Sequence, residues 1–460
     1  MLWFGPLHLR GAPLTGTDFS QYCEAVIAAV EGRAAANPHR SALVASALAP
    51  LAARAHALDA LFLGAVASTA LLAAGAGAWA LAVSGRVAAV AAMLACLSVA
   101  PIALLPRTVS FYPEMAAAFM VASAAAAWAC ARGGLLACVL GAALVGLAPL
   151  VDLRGVIWFV PCAVLVGAGA VLGPEGEGWR SLGGWARRLV AVALVALVLL
   201  GAWRLGPRVW PANLGGTLEM QAYSQVQDVA RRAGARVPFL RDVDAACRGR
   251  GFAWGHGGAA EFPRVGACLA AVNAVASNLP RVEESRLAWS RQGAPWVPVL
   301  ATGFALGALR HWRRPRRALA LLGAAVPSVA MLASAENEPD LRRLGQALLA
   351  VPVALGVGVE AVLAAPSAII SRRLPQFPRA PAFVEVAGVV LFALLVGGVV
   401  PSPLSPVARW RAPFTAQSEY LQYDGPRVMG REAYDRVCAT ALAGRAEAGW
   451  AGAIPTRPWP

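Results

Sequence analysis

Lysine is absent from this chain, and charged residues of any kind are scarce. The sequence has 460 residues, and all 40 of its Lys and Arg positions are arginine. Charged residues make up 14% and apolar residues 58%, whereas an average soluble protein has roughly 25% charged residues. So few charges could not cover a soluble fold of this length. The composition therefore excludes a disordered chain, a coiled coil and an ordinary cytosolic enzyme, and it predicts a polytopic membrane protein.

Cysteine and histidine are also sparse. Eight cysteines in 460 residues do not form the framework of a disulfide-rich domain. No tight cluster of His, Cys and Asp indicates zinc. In an oxidising compartment Cys247 could form a disulfide with Cys268, and Cys438 is a rival partner.

What the chain does contain is a series of apolar runs. A bilayer core needs roughly 20 apolar residues per helix, and ten stretches meet or approach that length. They are rich in alanine and glycine, which let helices pack closely in lipid. The fold class we predict is therefore an all-α bundle of about ten transmembrane helices, at residues 59–84, 87–106, 115–131, 134–151, 155–172, 189–206, 294–310, 318–334, 346–365 and 382–400.

Arginine placement predicts the orientation of these helices. If the segment 310–317, which holds five arginines, is cytoplasmic, alternation places four other arginine-bearing loops on the same side. Their only acids are Glu175 and Glu177. The short loops of the opposite side hold fewer arginines, which is the positive-inside pattern. The arginines of the predicted cytoplasmic loops are Arg86, Arg132, Arg180, Arg187, Arg188, Arg310, Arg313, Arg314, Arg316, Arg317, Arg372, Arg373 and Arg379.

Five regions follow from this topology. Residues 1–58 form an external N-terminal segment, and residues 207–293 form an external insertion between a six-helix bundle (59–206) and a four-helix bundle (294–400). Residues 401–460 form an external tail. An external N-terminus without a leading helix is awkward for membrane insertion. We therefore expect that a first transmembrane helix is missing, with a translocated tail as the alternative.

Acids and arginines collect on the predicted external side. Asp18 precedes a 13-residue apolar stripe that predicts a helix closed by Gly32 and lying along the membrane surface. Asp18 is also a good N-cap, with Gln21 as its partner in a capping box, and the two roles are compatible. The charged residues of the short external loops are Arg107, Glu114, Asp152, Arg154, Glu336, Glu338, Asp340, Arg342 and Arg343.

These features resemble the GT-C superfamily, which comprises integral membrane glycosyltransferases such as mannosyltransferase-like and aminoarabinose-transferase-like enzymes. The resemblance is carried by Asp18 before a surface helix, by the entry Asn37-Pro38-His39-Arg40-Ser41, and by the acidic loop 106–115. It is clearest over residues 15–165. Residues 336–344 resemble the acid-x-Arg-Tyr motif of several members, with Leu344 where the family has an aromatic residue.

The resemblance implies a polyprenyl-phosphate sugar donor, an external or periplasmic active face and a bacterial inner-membrane location. Asp18 would act as the general base on the acceptor, and Glu114 would be the second acid. Arginine grips phosphate oxygens with two parallel hydrogen bonds. The predicted substrate- or phosphate-binding residues are Arg107, Asp152, Arg154, Glu338, Arg342 and Arg343.

Partners and cofactors follow from the same resemblance. The partners are the polyprenyl-phosphate sugar donor, membrane lipids and an acceptor whose class the sequence does not specify, and no nucleic acid is expected. No cofactor is assigned. A divalent metal ion held by Asp18 and Glu114 is one alternative, and catalysis without metal is the other.

The sequence is also compatible with two other functions. A secondary transporter would need ionisable residues within its spans, and Glu360 and Glu385 are the candidates. Both lie near Arg372, Arg373 and Arg379, so local pairing is an adequate explanation for them. The third possibility is a catalytically inactive membrane scaffold.

Overall fold

The computed structural model describes residues 14–15, 19–33, 35, 41–54, 57–103, 105, 110–152, 155–174, 182–209, 296–333, 345–397, 399 and 427–428. Almost all of these residues are helical. In chain order the elements are β1 (Leu14–Thr15), α1 (Phe19–Glu31), α2 (Ala42–Ala52), α3 (Ala57–Val83), α4 (Arg86–Ser98), α5 (Ala100–Ala103), α6 (Tyr112–Arg132), α7 (Leu135–Val151), α8 (Gly155–Leu172), α9 (Leu182–Val209), α10 (Trp296–Arg310), α11 (Pro315–Gly323), α12 (Val326–Ala333), α13 (Ala350–Arg373), α14 (Ala380–Gly397) and β2 (Arg427–Val428).

The prediction of a polytopic helical membrane protein is confirmed. Among the described residues, six helical segments are long and apolar enough to cross a membrane: 60–83, 112–132, 155–172, 183–205, 345–373 and 380–397. Three other predicted spans correspond to the shorter apolar helices α4, α7 and α10. The predicted regions 207–293 and 401–460 lie mostly outside the described residues, so the domain boundaries stay predictions.

Two predicted spans are each broken into a pair of helices by proline. The predicted span 87–106 separates into α4 and α5, because Pro101 has no N–H to donate to the carbonyl of Leu97. The predicted span 318–334 separates into α11 and α12 at a turn over residues 324–325, just before Pro327. Proline is well suited to the first turn of the helix that follows.

Helix α6 lies at the centre of the bundle. It packs against α3, α7, α8 and α11, and 72% of its apolar window is buried, compared with 11% for α14. Trp158 of α8 is fully buried and stacks on Phe119 of α6, with 4.3 Å between the ring centroids. The large apolar side chains of α14, such as Phe383 and Val386, are exposed instead, as expected for a helix that faces lipid.

Small residues allow the helix backbones to approach closely. A Cβ atom added at Gly169 of α8 would lie 2.6 Å from the carbonyl oxygen of Ala129 in α6. One added at Gly356 of α13 would clash with the carbonyl oxygen of Ala88 in α4. Close backbone contact of this kind is typical of helices associating in a membrane, where the hydrophobic effect does not drive them together.

The N-terminal region contains two short helices and a small bridge. Helix α1 has the 13 residues predicted for it, and it buries Tyr22, Cys23 and Val26. Helix α2 was not predicted; it begins at Ser41, whose Oγ accepts a hydrogen bond from the N–H of Val44 at 3.3 Å. Strand β1 pairs antiparallel with β2, so Leu14 lies opposite Val428.

Candidate functional site

The first turn of α6 positions Glu114. The Ser110 hydroxyl accepts a hydrogen bond from the backbone N–H of Tyr112 at 3.3 Å, and Pro113 occupies the first turn. Both features favour the start of a helix at this place. Glu114 is the acid of that first turn, where the free N–H groups and the helix dipole favour a negative charge.

The carboxyl group of Glu114 is enclosed but not hydrogen-bonded. Both of its oxygens are buried, and neither has a hydrogen-bond partner among the residues that the structure describes. A Cβ atom added at Gly64 of α3 would lie 2.9 Å from Oε1 of Glu114 and 2.5 Å from a methyl carbon of Leu48. The carboxyl group therefore fits into space that the missing side chain of Gly64 leaves open beside α2.

Burying a polar group without a hydrogen bond costs free energy, and burying a charged one costs more. Such groups concentrate where a protein binds or transforms a ligand. The packing of Glu114 is therefore unexplained by folding alone and makes it the best candidate for a functional side chain among the described residues.

A second buried polar side chain, that of Gln346, contacts the residue that follows Glu114. Gln346 precedes α13 and is completely buried. Its Nε2 lies 3.7 Å from the sulfur of Met115, the residue after Glu114, while its Oε1 has no hydrogen-bond partner in the described part of the chain. The start of α6 and the segment leading into α13 thus bring two unsatisfied polar side chains to the same end of the bundle, which we call the Glu114 end.

Helix α1 also packs at the Glu114 end. The ring of Tyr22 meets the ring of Phe111 edge to face, with 5.0 Å between centroids. Phe111 immediately precedes α6, and α1 begins one residue after Asp18. The part of the chain that follows Asp18 is therefore in contact with the part that leads to Glu114.

The other described acids of α1 are paired. Arg33 Nη1 lies 2.6 Å from Glu24, and Arg33 Nε lies 2.6 Å from Glu31. Partial burial alone would lower the pKa of Arg33, but its hydrogen bonds to Glu24 and Glu31 outweigh this effect and raise the pKa. These contacts hold the end of α1 beyond the turn at Gly32, so Glu24 and Glu31 have a structural role that Glu114 lacks.

Asp152 is the second predicted site residue within the described part of the chain. It caps the C-terminus of α7, where its N–H bonds the carbonyl of Ala148 at 3.3 Å and its carbonyl accepts from Gly155 at 2.9 Å. Because α7 returns antiparallel to α6, Asp152 lies at the Glu114 end. Its backbone forms the turn into α8, which is a structural role for this position.

The remaining predicted site residues and the predicted disulfide partners lie outside the described residues, and their roles stay predictions. They are Asp18, Arg107, Arg154, Glu338, Arg342, Arg343, Cys247, Cys268 and Cys438. The cysteines in the described part of the chain are all buried: Cys23, Cys96, Cys130, Cys138 and Cys162.

A metal ion has little support from the described residues. No group of three or more His, Cys, Asp or Glu side chains that could hold a metal occurs among them. Around Glu114 they supply one carboxyl group, whereas Mg²⁺ or Ca²⁺ takes six or more oxygen ligands. No step of the chemistry below is assigned to a metal.

At the opposite end of the bundle a buried acid is fully paired. Glu360 of α13 lies 2.8 Å from Nη2 of Arg310, and its Oε2 accepts a hydrogen bond from the N–H of Ala88 at 2.8 Å. Gly85, the N-cap of α4, has no side chain to cap that helix, and Glu360 occupies the space instead. The predicted pairing of Glu360 is therefore present, but its partner is Arg310 rather than Arg372, Arg373 or Arg379.

Arginines also cap helix C-termini at this end. Gly133 and Gly173 follow α6 and α8 with φ angles of +65° and +66°, a conformation that favours glycine. Arg316 Nη2 donates a hydrogen bond to the carbonyl oxygen of Gly173, and the buried side chain of Arg188 lies beside Gly173. We call this the arginine-rich end.

Two residues of the site were missed by the sequence analysis. Gln346 had a weak signal, because it is a polar amide at the start of an apolar stretch and only three residues after Arg343. Gly64 had no signal in the sequence, because nothing distinguishes it from the other glycines of α3, which play no part at this site. Its importance depends on its contact with Glu114, fifty residues later in the chain.

Comparisons with known proteins complete the description of the site. No protein-family model matches the chain, and none of the curated proteins is similar to it. The crystal structure of ArnT from Cupriavidus metallidurans bound to undecaprenyl phosphate is similar at 16% identity, with a TM-score of 0.44 over 90% of this chain and 70% of that chain. The apo structure of the same protein is similar at 15% identity and a TM-score of 0.43, with the same coverage. These values are too low to carry a conclusion about activity.

Proposed function

We propose that the chain is a GT-C-type membrane glycosyltransferase that moves a sugar from a polyprenyl-phosphate-linked donor to an acceptor. The observation that carries the proposal is the carboxyl group of Glu114, which is buried at the start of α6 with no hydrogen-bond partner among the described residues. The sequence resemblance implies a functional acid at this position. Paired acids elsewhere in the described chain have structural roles, whereas Glu114 has none that the described contacts explain.

The proposed chemistry is a substitution at the anomeric carbon of the donor sugar. Asp18 accepts the proton of the acceptor hydroxyl, and the acceptor oxygen forms a bond to the anomeric carbon. The bond between that carbon and the phosphate oxygen breaks, and its electron pair leaves with the polyprenyl phosphate. Arg342 and Arg343 stabilise the negative charge that develops on the leaving phosphate.

Glu114 and Gln346 orient the reacting groups in this proposal. A carboxylate accepts hydrogen bonds from sugar hydroxyls, and an amide both accepts and donates them. The unsatisfied oxygens of Glu114 and Oε1 of Gln346 are acceptors that a polyhydroxylated ligand would satisfy. Holding reactants in the reactive geometry is itself a large contribution to catalysis.

The active face is proposed to be external or periplasmic, in a bacterial inner membrane. The support is the arginine asymmetry: Arg310, Arg313 and Arg314 cluster at the end of the bundle opposite Glu114, and arginine-rich short loops are typically cytoplasmic. Labelling with a membrane-impermeant reagent would test this, using single cysteines introduced at Asp152 and Arg313 in a background whose eight native cysteines are replaced by serine. Labelling of Arg313→Cys from the outside of intact cells would contradict it.

The activity itself is tested with the purified full chain in liposomes. The probes are radiolabelled polyprenyl-phosphate hexoses and pentoses with a membrane lipid extract as acceptor, and the readout is release of free polyprenyl phosphate. We expect release by the wild type, and a loss of about 10²–10⁴-fold in Asp18→Asn. Unchanged turnover in that variant would remove Asp18 from the mechanism.

The matched control is Glu385→Gln, which changes an acid that has no ion pair with any described residue. We expect this variant to retain wild-type turnover. Absence of release above protein-free liposomes, for every donor, would contradict the proposed glycosyltransferase.

The structure gives a structural role to one of the two candidate residues for a transporter, because Glu360 is bound to Arg310 and to the backbone of α4.

A further inference from the structure

An apolar groove lies between α10 and α11 at the arginine-rich end. It has a volume of about 540 Å³. Two of its side chains are strongly exposed, with Leu309 at 73% and Trp312 at 78%. The residues that line it are Ala305, Ala308, Leu309, Trp312, Pro315 and Ala318. In a membrane-spanning bundle such a surface faces acyl chains rather than water.

Two arginines lie in the turn that joins α10 to α11, the two helices that form this groove. Arg313 and Arg314 connect Trp312 to Pro315, so they lie within the stretch of chain that lines it. Both are exposed, and neither guanidinium group makes a hydrogen bond or ion pair with another described residue. Their neighbours differ, because Arg310 is bound to Glu360 and Arg316 to the carbonyl of Gly173. Positive charge without a described ion-pair partner therefore lies in the turn next to two lining residues, Trp312 and Pro315.

We propose that this groove binds an anionic phospholipid, with an acyl chain along α10 and α11 and the phosphate held by Arg313 and Arg314. The apolar lining suits a hydrocarbon chain, and the two free guanidinium groups suit a phosphate, which arginine binds through paired hydrogen bonds. Trp312 has the amphipathic ring that is enriched at the level of lipid headgroups. The lipid comes from the leaflet in which the arginine-rich end lies.

This site is separate from the proposed transferase site. It involves no residue of the Glu114 end, and it does not depend on which reaction the chain catalyses. A hydrogen bond to a charged group contributes about 1.5 kcal/mol or more, so removal of one arginine should weaken binding about tenfold and removal of both about 150-fold.

Native mass spectrometry of the detergent-solubilised full chain tests the proposal. The titrants are phosphatidylglycerol, phosphatidylcholine and inorganic phosphate. We expect retention of phosphatidylglycerol by the wild type, weaker retention of phosphatidylcholine, and loss of preference in the double variant Arg313→Gln/Arg314→Gln. The variant Ala305→Phe, which fills the groove and leaves every arginine in place, should also lose the lipid.

The matched control is Arg372→Gln/Arg373→Gln, which removes two exposed arginines from the last turn of α13 at the same end of the bundle. This control should retain phosphatidylglycerol as the wild type does. Equal losses in both double variants would overturn the proposal, because they would show a general charge effect. Equal retention of phosphatidylcholine, competition by inorganic phosphate, or full lipid retention by Ala305→Phe would overturn it as well.

Discussion

The buried carboxylate of Glu360, at the arginine-rich end, contacts the guanidinium of Arg310 and the backbone N–H of Ala88. The carboxyl group of Glu114, at the other end, is as well enclosed but has no hydrogen-bond partner among the described residues. The two acids lie in helices of the same bundle and have comparable packing. Their difference shows that this fold can satisfy a buried acid, so the isolation of Glu114 is not a general property of its interior.

The comparison separates stability from activity. Contacts at the arginine-rich end join α4, α10 and α13, so their loss should reduce stability and leave chemistry intact. Contacts at the Glu114 end leave polar atoms unsatisfied, so changes there should reduce activity with little effect on stability. Stability–activity trade-offs of this kind are common, because functional groups are held in environments that do not favour folding.

The largest effect is expected from Glu114→Gln. The substitution preserves the shape of the side chain but removes its ability to ionise and one acceptor oxygen. We expect turnover to fall by at least about 10²-fold, while the thermal midpoint in detergent stays the same or rises slightly, because no hydrogen bond to a described residue is lost. Polyprenyl phosphate release and thermal unfolding measured on one preparation check both parts.

A large loss of stability in Glu114→Gln would contradict the claim that Glu114 contributes little to the stability of the fold. It would mean that Glu114 supports the fold in the way that Glu360 does. Glu385→Gln is the control for a change of charge alone, and it should alter neither turnover nor the thermal midpoint.

The next effect concerns Glu360→Gln at the arginine-rich end. Breaking a buried ion pair typically costs 3–5 kcal/mol, but Arg310 is one-third exposed, so we expect a loss of about 1–3 kcal/mol. Turnover per folded molecule should not change. A double-mutant cycle with Arg310→Gln isolates the side-chain pair, because the hydrogen bond from Arg310 to the backbone carbonyl of Glu360 is kept in Glu360→Gln. Additive effects of the two substitutions would show that the two side chains do not interact.

A smaller effect is expected from Gly64→Ala. The added methyl group would lie 2.9 Å from Oε1 of Glu114, so the carboxyl group must move by a few tenths of an ångström. We expect turnover to fall about tenfold through this displacement. Gly77→Ala is the control in the same helix, because its methyl group would meet only the flexible end of Met93 and a carbonyl oxygen at 3.4 Å. Equal turnover in both variants would show that the position of Glu114 does not matter.

The scaffold was largely predictable from the sequence for a simple physical reason. Apolar runs must be helical in lipid, since every backbone polar group has to be satisfied within the segment. Helix α8 was predicted at its observed bounds, 155–172, and α7 within one residue. The breaks before Pro101 and Pro327 follow from proline chemistry that the apolar pattern alone does not reveal.

The site was less predictable, because its contacts join distant parts of the chain. Gln346 and Met115 are separated by 231 residues, and Glu360 and Ala88 by 272. Local pattern indicated an acid at the start of α6, but it could not show that Gly64 makes room for that acid. It also assigned Glu360 to arginines nearby in sequence, whereas the partner is 50 residues away in α10.

The smallest effect concerns His311, which is buried next to the Arg310 pair. Burial lowers the pKa of His311, and the positive charges of Arg310 and Arg317 lower it further, while Glu360 acts in the opposite direction. In the unfolded chain the imidazole binds a proton near pH 6.5, so below that pH unfolding takes up a proton and stability falls, until the folded form is protonated too. Between pH 7.5 and pH 5.5 the thermal midpoint of His311→Gln should therefore fall by fewer degrees than that of the wild type. Turnover at pH 7.5 should be the same in both proteins. Equal acid sensitivity of the two would show that the arginine-rich end does not disfavour the charged imidazole of His311.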